Sequence, residues 1–396
     1  MSESLPVRIE GTNQLGDPIV IGTPESGWAS GLSELRSTIW LDGKSQDIWF
    51  RSDLPQSQVA DGVEPFLSVC LLPAMRTGRN LKTDAPVSPL FMDHQRLIQN
   101  QFRAWDSTLQ VIEVQAPLRA LDVASEGRPT ATFFSGGVDS FHTTLTHRAE
   151  IDDLIFVHGF DISIENSQLY RMAYERILRV ADTLGKTLVR VETNLRAFTD
   201  ALSEWGRYQH GPALGAVAQW LASRYRRIFI PGENFPDEPS AWFRGSQPRT
   251  DPFFSTERVT VVHDGYLPTR NRKIRAMIDE PCVRESLRVC WENPGGAYNC
   301  GRCSKCLRNM AVIRACGCLD RFITFPPELD LEALARVNLE PGEWRMLFEE
   351  TLAQVARDRR DPALEQALRL CLARHRRRLW RLRLARWFHP GVRRRK

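Results

Sequence analysis

The chain contains no run approaching the roughly 20 consecutive apolar residues that a membrane-spanning helix needs, which excludes an integral helical membrane protein. Its first residues, Met1-Ser-Glu-Ser-Leu-Pro-Val-Arg, lack the charged leader and apolar core of a secretory signal, so a cytoplasmic location is expected. No internal repeat is evident. Acidic residues are missing from Arg374 to Lys396, where ten arginines and one lysine stand. The net charge of +5 is therefore a property of this tail, and the rest of the chain is net acidic. A general nucleic-acid-binding surface on the body is not implied.

What is present is ordinary globular composition, 42% apolar and 26% charged over 396 residues. It excludes a wholly disordered or collagen-like chain. At about 100–200 residues per domain, the length predicts two or three domains. Nine cysteines, an odd number, include four within residues 290–306. In a cytosolic chain such crowding reads as metal binding before disulfides.

Three segments are expected: a β-rich domain over 1–125, a second domain over 126–320, and a helical extension over 321–396. In the first, Pro6–Ile9, Ser37–Leu41, Asp47–Arg51, Pro65–Leu72 and Leu109–Val114 read as strands, and Met92–Trp105 as a helix. Asp42-Gly43 between two of these strands predicts a hairpin. From Thr130 the pattern alternates. Strands are expected at Ala131–Phe134, Leu154–Gly159, Leu188–Glu192, Ile228–Pro231 and Val259–His263, with helices after Ser140 and over Tyr170–Leu184 and His210–Arg226. This predicts an α/β fold with a parallel sheet covered on both faces, ligands lying at the strand C-termini. Helices are expected over Pro327–Val337, Pro341–Arg357 and from Pro362 toward Phe388.

The sharpest motif is Ser135-Gly136-Gly137-Val138-Asp139-Ser140, between a strand and a helix. Two adjacent glycines let the backbone turn tightly and approach a ligand. Successive amides then form an anion-binding concavity, backed by the helix N-terminus. The Ser135 and Ser140 hydroxyls add hydrogen bonds. Asp139 beside phosphate requires a neutralising partner, for which Mg²⁺ is suited. The string is neither a Walker loop nor a GxGxxG fingerprint. The alternative is a plain Ser/Gly turn with a helix cap.

The spacing Cys290-x9-Cys300-x2-Cys303-x2-Cys306 offers four thiolates. It suits one tetrahedral Zn²⁺ in a closed, structural site. An iron–sulfur cluster is the alternative metal reading. Cys70, Cys282, Cys316, Cys318 and Cys371 are read as buried or spare thiols.

The loop resembles the SGGxDS loop of the N-type ATP pyrophosphatases, the PP-loop family, which holds the pyrophosphate leaving ATP while AMP is transferred. Joined to the late cysteine cluster, it is similar to 7-cyano-7-deazaguanine synthase and its relatives, over about residues 130–320. That resemblance implies an adenine nucleotide alpha hydrolase-like fold, a doubly wound parallel sheet. It implies ATP, Mg²⁺ and Zn²⁺, and a reaction in which a carboxyl or carbonyl group is adenylated and handed to a nitrogen nucleophile. It assigns ATP to Ser135, Gly136, Gly137, Val138, Asp139 and Ser140, with Asp139 and Ser140 catalytic. It assigns the metal to Cys290, Cys300, Cys303 and Cys306, and substrate contacts to Gly232, Glu233 and Lys273. Diverged relatives modify RNA or a protein terminus, some in antiphage defence, or amidate surface sugars.

His158 is a candidate base and Arg249 and Asp251 are candidate loop residues, each with a plain structural alternative. Main-chain groups near Val157–Phe160 are expected to read an adenine edge. Around Leu379, Trp380, Leu384, Trp387 and Phe388, arginines make a basic amphipathic helix. Residues 374–396 are thus expected to meet an anionic membrane surface or nucleic acid, or to pack on the body. The further expected partners are a small-molecule or macromolecular acceptor and a second copy in a homodimer. The location implied is cytoplasmic, or peripheral to a membrane.

Overall fold

The computed structural model describes residues 16–120, 127–233, 243–339 and 343–388. It is a mixed α/β fold whose chain divides into two compact units. The first comprises Met1–Arg128, Glu192–Ile228 and Phe243–Val262, and the second Pro129–Val191, Phe229–Trp242 and His263–Lys396. The expected strand Pro6–Ile9 lies outside the described residues.

The first unit opens with strands β1 (Ile19–Ile21), β2 (Glu25–Ala29), β3 (Leu32–Leu41) and β4 (Lys44–Ser52). The predicted hairpin forms. Asp42 and Gly43 take left-handed backbone at φ 53° and 72°, which a two-residue turn between β3 and β4 demands. β3 pairs antiparallel with β4 from Leu41↔Lys44 to Ser33↔Ser52, and also with β2 and β1. Period-two burial follows: Leu35, Ile39, Ile48 and Phe50 face the core, while Arg36 and Trp40 face outward.

Residues Pro65–Leu72, expected as a strand, belong instead to helix α1 (Glu64–Thr77). An unbroken apolar run cannot separate a buried strand from a helix buried all round. Here Pro65 sits in the first turn, where it loses no hydrogen bond, and Gly78 closes the helix with left-handed backbone. β5 (Leu81–Lys82), α2 (Pro89–Trp105) and β6 (Val114–Gln115) follow. The expected strand Leu109–Val114 shrinks to that last pair. At Ile112 the buried Gln99 side chain takes a strand partner's place, accepting from Ile112 N at 2.7 Å and donating to Ile112 O at 3.1 Å.

The second unit begins with β7 (Thr130–Phe133), α3 (Val138–Thr146), β8 (Asp153–His158), α4 (Ser167–Leu184) and β9 (Thr187–Thr193). The chain then supplies α5 (Leu195–Thr199) and α6 (His210–Trp220) to the first unit, although the sequence placed them in a continuous second domain. The cause is packing. α6 lies on α1, and buried Ser68 Oγ donates to Gln219 Oε1 at 2.8 Å. Phe50, Phe66 and Trp220 form an aromatic cluster there, with centroids 5.6 and 5.8 Å apart.

β10 (Arg227–Pro231) and β11 (Thr260–Asp264) complete the sheet order β11-β10-β7-β8-β9, with β7 and β8 parallel. β8 and β9 lie on one side of β7 and the later strands on the other, so the strand order reverses at β7. Such a reversal opens a crevice at the strand C-terminus, the ligand position in open α/β sheets. Helices α7 (Arg270–Met277), α8 (Pro281–Ser286), α9 (Ser304–Ala315), α10 (Leu331–Arg336), α11 (Glu343–Asp358) and α12 (Pro362–Phe388) follow, the last two close to expectation.

One contact tests the packing of α6. A Cβ on Gly211 would lie 2.0 Å from the backbone oxygen of Gly245, whereas a Cβ on Gly206 meets nothing within 4 Å. Gly211→Ala is expected to destabilise the protein by about 1–3 kcal/mol or more. Gly206→Ala is expected to change stability by less than about 1 kcal/mol. Urea unfolding midpoints of the two variants check the difference.

Candidate active site and metal centre

Buried β7 ends at Phe133, and Phe134 N continues the pairing to Ile155 O at 2.8 Å. The chain then turns at Gly136, whose φ of 72° is open to glycine at no steric cost. Gly137 is the N-cap of α3 and brings no capping side chain. Among the described residues no N-cap side chain takes the first-turn amides of α3, which suits them to an outside acceptor. Ser135 is exposed. Ser140, in contrast, is buried and its hydroxyl donates to Gly137 O at 3.0 Å, so it closes the turn on itself.

Asp139 points from the first turn of α3 toward α7. Lys273 Nζ donates to its Oδ1 at 2.6 Å, and Arg270 donates to its Oδ2 at 2.8 Å. Arg270 also reaches Glu233 Oε1 at 3.0 Å, and Lys273 reaches Gly232 O at 2.5 Å. The Lys273 side chain is 0% exposed. Four residues named from the sequence, Asp139, Gly232, Glu233 and Lys273, thus meet at one place. The partner expected for Asp139 was Mg²⁺. Both of its oxygens are instead taken by protein cations, which supply the neutralisation.

Two members of this cluster escaped the sequence reading. Arg270 lies one helical turn before Lys273, and that i, i+3 spacing in Arg-Asn-Arg-Lys is the signal that could have found it. His142 lies one turn after Asp139 on α3. Burial, then the nearby Lys273 charge, hold its imidazole below the usual range, which favours its neutral form. Its buried Nδ1 has no protein partner among the described residues. Asp264, at the end of β11, accepts from Thr143 Oγ1 at 2.7 Å and lies 3.0 Å from His147 Nε2.

Other sequence candidates fall elsewhere. His158 is buried, stacked on Tyr170 at 4.0 Å, with Nε2 3.0 Å from Ser163 O, which is a structural role. The Gly159 amide, in the segment expected to read adenine, donates to Ile162 O at 3.0 Å. Asp251 belongs to the first unit, fully buried, accepting from Ser246 Oγ at 2.7 Å and Gln247 N at 3.1 Å. Arg249 is exposed. Cys70 and Cys371 are core thiols raised by burial, Cys371 to about 11.

The four clustered cysteines converge. Their sulfurs lie within 4.8 Å of one another, with Cys290–Cys303 and Cys300–Cys306 both at 3.9 Å. Sulfurs about 2.3 Å from a tetrahedral Zn²⁺ stand at about this separation. Backbone amides support the sulfurs: Asn293 N donates to Cys290 Sγ at 3.3 Å and Cys303 N to Cys300 Sγ at 3.2 Å. Gly301 makes the knuckle, at φ 69°, and Pro326 Cγ fills the space 2.5 Å from where its Cβ would be. Shared hydrogen bonds hold the Cys290 thiol low and push Cys303 up to about 11, so bare sulfurs cannot all ionise together. A divalent cation removes that conflict. The donor set and spacing fit zinc.

Asn299 joins this centre to the loop. Its Oδ1 accepts from Val289 N at 2.9 Å and Cys290 N at 3.1 Å, and its Nδ2 donates to Leu287 O at 2.8 Å. In the same segment, Arg288 N donates to Gly136 O at 2.8 Å, and Tyr298 Oη donates to Ser286 O at 2.8 Å. The metal knuckle therefore sits on the segment that backs the glycine turn.

No protein-family model matches the chain, and neither a curated protein nor a solved structure matches it.

The metal assignment predicts about one zinc per chain in protein purified without chelator. Cys303→Ser is expected to lose that metal, and acid to release it, because the ligands bind deprotonated. Elemental analysis against pH checks both; a metal-free wild-type protein would overturn the assignment.

Proposed function

We propose that the protein is an ATP-dependent adenylating enzyme, which activates a carboxyl or carbonyl group for attack by a nitrogen nucleophile. The observation that carries this reading is the glycine turn at the strand-order reversal, which enters a helix whose N-cap brings no capping side chain. Its resemblance to the SGGxDS loop directs the reading to a nucleotide's phosphates.

In this reading the triphosphate lies along Ser135–Ser140. The acceptor oxygen attacks the α-phosphorus, the bond to the bridging oxygen breaks, and its electron pair leaves with pyrophosphate. The negative charge grows where the Gly136 and Gly137 amides and the α3 dipole are already oriented. Arg270, shared between Asp139 and Glu233, can turn positive charge toward it while Lys273 stays on Asp139. The nitrogen then attacks the activated carbon and AMP departs with the electron pair. Neutral His142 is chemically suited to take the nitrogen's proton. Mg²⁺, bound with the nucleotide, would supply shielding of phosphate charge. Zinc on Cys290, Cys300, Cys303 and Cys306 would have every position filled by sulfur, leaving it a structural part.

Asp139→Ala would leave Lys273 with its charge buried and unpaired, costing about 3 kcal/mol or more. Exposed Ser135 makes the cleaner probe. AMP and pyrophosphate are measured with ammonium and a panel of acceptors: 7-carboxy-7-deazaguanine, tRNA and proteins. Ser135→Ala is expected to lower turnover by about 10²-fold with the unfolding midpoint unchanged. Failure of every acceptor to yield AMP, or a Ser135→Ala rate equal to wild type, would overturn the reading.

A further inference from the structure

The last described helix carries a surface that the fold leaves bare. α12 begins packed: Leu364, Leu368, Leu372 and His375 are buried, and Cys371 Sγ donates to Val337 O at 3.4 Å. From Arg376 to Leu382 every residue is exposed. That stretch includes Trp380 at 64%, Leu382 at 47% and Leu379 at 37%. The third alternative for the tail, an apolar stripe packed on the body, does not hold for these residues.

Their arrangement is segregated. At about 100° per residue, Leu379, Trp380 and Leu382 fall on one arc of the helix. Arg374, Arg377, Arg378 and Arg381, at i, i+3, i+4 and i+7, fall on the opposite one. Within residues 374–382 Arg376 is the exception, on the apolar side, and at the same period the sequence positions 383 and 386 fall there too. Arg378 donates to Asn338 Oδ1 at 3.1 Å. No acid occurs from Arg374 onward, and the sequence continues with Arg383, Arg386, Leu384, Trp387 and Phe388.

We propose that this end of α12 docks the protein on an anionic lipid bilayer, the apolar arc entering the acyl boundary and the arginines meeting lipid phosphates. Charge complementarity demands an anionic partner. The apolar arc decides which one: a nucleic acid would engage the arginines and leave Trp380 and both leucines in water. A helix lying at headgroup depth satisfies both faces at once. Long arginine side chains also reach headgroups around the helix, which accommodates Arg376.

The test uses the full chain and flotation on phosphatidylcholine vesicles with and without phosphatidylserine. Binding is expected only with phosphatidylserine, and molar salt should abolish it. The triple variant Leu379→Ser, Trp380→Ser, Leu382→Ser is expected to weaken binding at least about tenfold. Replacing Arg374, Arg377 and Arg381 by Gln is expected to weaken it at least about a hundredfold. Both variants should keep the wild-type unfolding midpoint, since the side chains replaced are exposed. Equal flotation of the serine variant, or binding of an RNA or DNA oligonucleotide without binding of vesicles, would overturn the proposal. Neither outcome bears on AMP production, so this test is independent of the adenylation reading.

Discussion

An ammonium group with no exposure to water is costly to bury, and the candidate site is organised around one. Lys273 Nζ is tolerated because Asp139 faces it at 2.6 Å and Gly232 O at 2.5 Å. A buried charge is stable only when paired and hydrogen-bonded. The pairing has a positional consequence. Asp139 is on α3, Gly232 leaves β10 and Lys273 is on α7, so one side chain fixes three separate elements. Gly232 N donates in turn to Asp264 O at 2.7 Å, which ties in the end of β11. The glycine turn is thereby held between a rigid strand behind it and a neutralised carboxylate ahead of it.

The cysteine centre acts on the same turn from the other side. Its route is short: Cys290, Arg288 N, then Gly136 O. A metal there would contribute no ligand position for chemistry, yet it would stiffen the segment that fixes the carbonyl of the left-handed glycine. Preorganised amides act as a charge-stabilising site only if they need not move during the reaction. A structural metal next to such a loop is therefore consistent with the loop's proposed work.

Much of this was legible in the sequence, for identifiable reasons. Asp42-Gly43 fixes its turn locally, and the strand–helix alternation from Thr130 carries its own periodicity. The six-residue loop is contiguous and the four cysteines are regularly spaced, so the glycine turn and the sulfur cluster can be located without a fold. What could not be read depends on distant partners. α1 has no polar face because α6, more than a hundred residues later, covers it, and such a run has no period to detect. Gln99 replaces a strand partner through its side chain, which no strand pattern encodes. Asn299 and His142 are ordinary residues until the fold brings Cys290 and Lys273 to them. Arg270 was within reach, since its spacing from Lys273 on a short helix is itself informative.

The charges of the site permit one more step. Glu233, Arg270, Asp139 and Lys273 form an alternating chain, two acids and two cations, and so are neutral together. A neutral cluster does not attract phosphate by itself. The attraction would come from the amides and from the roughly half positive charge of a helix N-terminus. That field is short-ranged and directional, acting on a group seated in the turn and little on anions in bulk. Arg270 divides its guanidinium between Asp139 and Glu233, so a shift toward either acid keeps it paired. An arriving phosphate can draw Arg270 from Asp139 while Lys273 stays, and no buried charge is orphaned in the exchange. Such a quartet allows positive charge to be offered to an anion when one is present without exposing an unpaired cation when none is.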